Sequence, residues 1–173
     1  MVLVRVRILA HHGVSAIKFG SIDKSDFAIP PVALLYGYLI VAGALGWPVF
    51  GQHELFGSRL LQWVGIGSCA CSLVLMALSL ISFGSSFRVG IDTEHPDALV
   101  TSGVFGITRN PIYVAFAFVL IGEFLIQPYP LLLAYAVAGA ALFHRQVLRE
   151  EAFLRQHYGS EYEEYCRRVP RYV

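Results

Sequence analysis

Two short stretches of this chain bring together residue types that hold charged, polar ligands. In Thr108-Arg109-Asn110-Pro111-Ile112-Tyr113 a favoured helix cap, Asn110, precedes a favoured first helical residue, Pro111, so a helix is expected to start here. Its free N–H groups and positive dipole end, with Arg109 adjacent, would form an anion site that Tyr113 reaches from one turn in. The plainer reading is a capped helix with Arg109 among lipid headgroups. The second stretch is Arg145, Arg149, Glu150, Glu151 and Arg155. Glu151 and Arg155 stand four apart in the favourable order, which predicts a surface salt bridge, whereas Glu150 meets only Leu154 at that spacing. Arg145 and Arg149, also four apart, repel each other unless an anion lies between them; a lipid phosphate and a substrate carboxylate both fit.

A third polar run closes the chain. Gly159 can end one helix, and Ser160 with Glu163 has the spacing of a capping box for the next. A short helix over Tyr162-Glu163-Glu164-Tyr165-Cys166-Arg167-Arg168 would then fold back as a lid.

Other residues point away from chemistry. Cys69, Cys71 and Cys166 have no zinc spacing, and neither do His11, His12 and His53, so no metal site is expected. Gly37, Gly43, Gly46, Gly65, Gly67 and Gly139 suit close helix packing, and the absence of a strand–GxGxxG unit argues against a dinucleotide fold. Glu123 stands near the far end of an apolar run, where a structural role at the interface is expected.

These polar stretches have to be positioned by a chain of 173 residues that is 56% apolar and only 14% charged, with a mean hydropathy of +0.61. Soluble domains carry roughly 25% charged residues. Apolar runs at about 30–50, 60–83, 111–127 and 129–145 predict an all-α integral membrane bundle of about four transmembrane helices with a helical C-terminal extension. A soluble bundle would need polar faces that the first two runs lack. The 84–110 loop and the 146–173 extension then share one side of the membrane. With four spans, every lysine and arginine except Arg59 falls on that side, which places both termini in the cytoplasm. Residues 1–28 show no cleavage-site pattern and read as an interfacial or partly disordered segment before a single membrane domain over 29–173. A net charge of +1 gives no field for nucleic acid, and the glycine-rich first run leaves room for a homodimer.

In combination, Leu99-Val100-Thr101-Ser102-Gly103-Val104-Phe105, Arg109-Asn110-Pro111-Ile112-Tyr113, Glu150-Glu151, Gly159-Ser160-Glu161-Tyr162 and Arg168-Val169-Pro170 resemble the C-terminal half of the isoprenylcysteine carboxyl methyltransferase family, itself similar to phospholipid methyltransferases. The likeness covers about residues 82–170. It implies a helical membrane enzyme that uses S-adenosylmethionine, bound against Gly90, Asp97, Ala98, Leu99, Val100, Phe105, Asn110, Pro111, Ile112 and Tyr113 and closed by Glu150 more than Glu151. It also implies that Arg145 or Arg149 faces a lipophilic acceptor in the membrane; Arg109, beside the helix start, is expected to serve the reaction by holding the cofactor's anionic end. The family usually has His at the position of Asn110, and often another where this chain has Asp97-Ala98. The acceptor is therefore open among carboxylate, thiol and amine. A membrane reductase with a nicotinamide cofactor and a non-enzymatic membrane scaffold are the rival readings.

Overall fold

The computed structural model describes residues 29–47, 53–83 and 99–173. The interfacial segment over 1–28, the end of the first apolar run, and the site candidates Gly90, Asp97 and Ala98 lie outside the described residues. Those described form five α-helices and no strand: α1 (Ile29–Leu45), α2 (Arg59–Phe83), α3 (Pro111–Ile126), α4 (Pro130–Tyr158) and α5 (Ser160–Arg168), with a 3₁₀ turn at Gly103–Gly106. Two helices, α2 with 25 residues and α4 with 29, have the length and hydropathy of a membrane span. α1 and α3 are shorter, at 17 and 16 residues, against the roughly 20 that cross a bilayer core without thinning it.

The helices turn apolar side chains outward. Leu60, Trp63 and Leu73 of α2 and Val137 and Leu142 of α4 are all exposed, which is stable where the surrounding solvent is hydrocarbon. What draws the helices together is close approach and polar pairing. α2 packs most extensively on α3. A Cβ added at Gly65 would stand 2.6 Å from the Gly122 carbonyl oxygen, and one added at Gly122 would stand 2.8 Å from that of Gly65, so both backbones need the missing methyl. Along the same seam Ser68 Oγ donates to the Phe118 carbonyl and Ser72 Oγ to that of Ala115, each at 2.7 Å.

α3 and α4 form the expected hairpin across Gln127, Pro128 and Tyr129, and α4 runs on unbroken beyond the apolar part as an extension. The chain then reverses at Gly159, whose φ of 54° and ψ of −124° suit a residue without a Cβ. The predicted capping box does not form. Gly159 occupies the cap position, Ser160 is already helical, and no side chain caps the helix. The Glu163 N–H is satisfied instead by the Gly159 carbonyl at 3.2 Å. Tyr162, Tyr165 and Val169 bury themselves against Leu99, Leu154, Tyr158 and Cys166, which lays α5 beside the base of α4.

Candidate active site

The start of α3 and the extension of α4 come together in a buried polar cluster. Asn110 sits at the cap position, but its side chain makes no capping bond. Its Nδ2 donates instead to Glu151 Oε1 and to the Arg171 carbonyl, both at 3.2 Å. Glu151 is buried. One of its oxygens receives Arg109 Nη2 at 3.3 Å, and the other receives Arg171 through Nε at 3.0 Å and Nη2 at 2.8 Å. The predicted Glu151–Arg155 surface pair is therefore replaced. Glu151 turns inward, because two guanidiniums from distant sequence offer more there than one exposed neighbour.

The residues after α5 act as a strap. Pro170 accepts the Arg109 N–H at 3.0 Å, and the Arg171 carbonyl accepts Thr108 Oγ1 at 3.0 Å. Tyr172 OH pairs with His144 Nδ1 at 2.9 Å. Upstream, Tyr165 OH donates to the Phe105 carbonyl at 2.6 Å, while the Phe105 ring meets Phe83 edge-on at 4.6 Å. Leu99 and Phe105 thus support the strap's helix, Pro111 is buried, and Val100 and Ile112 are half-buried.

A second polar group lies one turn further along α3. Tyr113 OH donates to Glu150 Oε1 at 2.6 Å, and Gln146 Nε2 donates to the same oxygen at 3.0 Å. Below it, Phe143 touches Tyr113 at 5.9 Å between ring centroids and stacks on Phe116 at 5.1 Å, an aromatic run leading from the polar group toward the apolar helices.

Their partners divide the two glutamates. Burial pushes the Glu150 carboxyl above the usual carboxylate range, against the lowering influence of Tyr113 and Gln146. Burial acts upward on Glu151 too, but the Arg171 hydrogen bonds, the Arg109 charge and Asn110 outweigh it and hold that carboxyl below the range. The Tyr165 hydroxyl is pushed up to about 12, chiefly by burial.

Arg109, Asn110, Tyr113, Glu150 and Glu151 are thus brought together. Arg145 and Arg149 are exposed, rotated roughly 100–160° around α4 from Glu150 and Glu151 at about 100° per residue. Sequence reasoning missed Gln146, whose i,i+4 spacing to Glu150 was readable. It also missed Arg171, which stands close to Arg167 and Arg168 with no acidic residue at helical spacing to mark its partner.

The phospholipid methyltransferase family model matches residues 60–161, more than half the chain and both polar stretches. The chain belongs to the phospholipid methyltransferase family. Membership places it among membrane methyltransferases and not among nicotinamide reductases. Protein-S-isoprenylcysteine O-methyltransferase B of Arabidopsis thaliana is 29% identical over 166 residues, covering 94% of this chain and 81% of that protein. The Tribolium castaneum and Homo sapiens protein-S-isoprenylcysteine O-methyltransferases are 31% and 30% identical, and each is matched by 75% of this chain over 49% of its own length. The chain thus spans about half the length of these animal relatives. A solved structure of a eukaryotic intramembrane Ras methyltransferase, an isoprenylcysteine carboxyl methyltransferase, superposes with a TM-score of 0.65 at 25% identity, over 95% of this chain and 57% of that one.

Proposed function

We propose that this protein transfers a methyl group from S-adenosylmethionine to a lipophilic acceptor, a carboxylate, thiol or amine, where the bundle meets the cytoplasm. The supporting observation is the convergence of Arg109, Asn110, Tyr113 and Glu150 at the point where α3 begins and α4 leaves its apolar part. The residues present fit such a cofactor on two counts. Arg109 Nε is a buried donor with no partner among the described residues, suited to a carboxylate. Both donors to Glu150 meet Oε1, and we assign Oε2 to the cofactor's ammonium or hydroxyl groups. Both oxygens of Glu151 are occupied, so its task in this reading is to hold Arg109 and Asn110 in place.

When bound, the cofactor supplies a methyl group on a cationic sulfur. The chain then needs only to orient the acceptor and exclude water. The strap and Tyr113 cover the polar side. The Phe143–Phe116 run receives the acceptor's hydrocarbon part, and Arg145 and Arg149 meet its anionic end or the lipid headgroups around it. The four-span topology with cytoplasmic termini belongs to the same reading, supported by the one-sided distribution of basic residues. Calorimetry with S-adenosylhomocysteine on detergent-purified protein tests it: affinity falls in Tyr113→Ala and Glu150→Ala, and unchanged affinity in both overturns the assignment. Incubation with labelled cofactor and a lipid extract would identify the acceptor through the labelled product.

A further inference from the structure

Arg109 is an unusual cation. Its side chain is only 9% exposed, yet among the described residues its ionic contact is Nη2 to Glu151 at 3.3 Å and its buried Nε has no acceptor. With Glu151 alone, this guanidinium would be neutralised and would offer an incoming anion little. Glu151 is not alone, however, because Arg171 from the end of the chain takes its other oxygen through two N–H groups. The group therefore holds two positive charges and one negative. Glu150, the next residue, is engaged separately by Tyr113 and Gln146.

We propose that Arg171 is a positioning residue that supplies the counter-charge to Glu151 and thereby leaves Arg109 with one uncompensated charge for a ligand carboxylate. This rests on the cofactor reading above, and deepens it by making the anion specificity of that site depend on the third residue from the end of the chain as given. Arg171, 36% exposed, meets the buried carboxylate from the solvent side, whereas Arg109 is 9% exposed, so an anion at its Nε–H is met where charge is poorly screened. A merely mechanical strap predicts something different. The Pro170 and Arg171 carbonyls would still tie Thr108, Arg109 and Asn110 after loss of the Arg171 side chain, and any looseness would weaken every ligand alike.

The test compares S-adenosylhomocysteine with its decarboxylated analogue, which keeps the adenosine and the amine, by calorimetry on the full chain. Wild type prefers the carboxylated ligand by about tenfold, the usual size of one charge-assisted contact. Arg171→Gln loses most of that preference while binding the analogue within about twofold of wild type, and Arg171→Lys restores at least a third of the preference. Equal weakening of both ligands, or a preference untouched in Arg171→Gln, overturns the proposal. If Arg171→Gln does not fold, Arg171→Lys decides, since a retained positive charge must keep at least a third of the preference, and its complete loss with the analogue still bound overturns the proposal. Wild type binding neither ligand would instead remove the cofactor reading itself.

Discussion

Glu151 and Arg171, twenty positions apart, meet through two N–H groups on a single carboxylate oxygen, at 3.0 and 2.8 Å. The geometry leaves the other oxygen to Arg109 and Asn110. One buried side chain therefore joins the start of α3, the extension of α4 and the end of the chain.

Removing that carboxylate should be expensive. Glu151→Ala strands Arg109 without its counter-ion and is expected to cost about 3–5 kcal/mol, read as a fall in thermal midpoint in detergent. The pH dependence has a definite sign. A carboxyl held below its ordinary range contributes stability that is complete above its unfolded pKa, about 4.3, and is lost as pH falls through the lower folded value. Wild type should lose this contribution below about pH 4.3, whereas Glu151→Gln should not show that loss.

Glu150 behaves oppositely. Burial raises its pKa, so its charge disappears at a milder acidity than that of an exposed glutamate. Affinity for S-adenosylhomocysteine is expected to fall on acidification, beginning at a higher pH than an exposed glutamate would give, and Glu150→Gln should bind more weakly with a flat profile. A sloping profile in the Gln variant would assign the titration to another group.

The α2–α3 seam predicts a contrast between glycines. Gly122→Ala drives a methyl group to 2.5 Å from Cys69 Sγ and 2.8 Å from the Gly65 carbonyl oxygen, an overpacking expected to cost about 1–3 kcal/mol. Gly67→Ala on the same seam's helix meets nothing within 4 Å and should be neutral or stabilising by about 0.5–1 kcal/mol. Thermal midpoints of the two variants check this directly.

The turn into α5 gives a second contrast. Gly159→Ala places a Cβ on a backbone at φ 54° and is expected to cost about 1–3 kcal/mol. Ser160→Ala removes a hydroxyl that caps nothing and should stay within about 0.5 kcal/mol of wild type.

The amino-acid sequence alone determined the elements. Apolar runs set the long helices, Asn110-Pro111 set the start of α3, Pro128 and Pro130 set the hairpin, and Gly159 set the reversal, because each depends on hydropathy or on backbone freedom within a few residues. Tertiary structure alone decided what the polar side chains do. Glu151 chose Arg109 and Arg171 over Arg155, Asn110 turned from its own helix to Glu151, and Ser160 yielded the cap to Gly159. Such choices compare a local exposed partner with a distant buried one, and low dielectric favours the buried partner by an amount no spacing rule contains. Arg171 illustrates the limit: its neighbours in sequence are a proline and a tyrosine, and only the fold of α5 carries it to the carboxylate it balances.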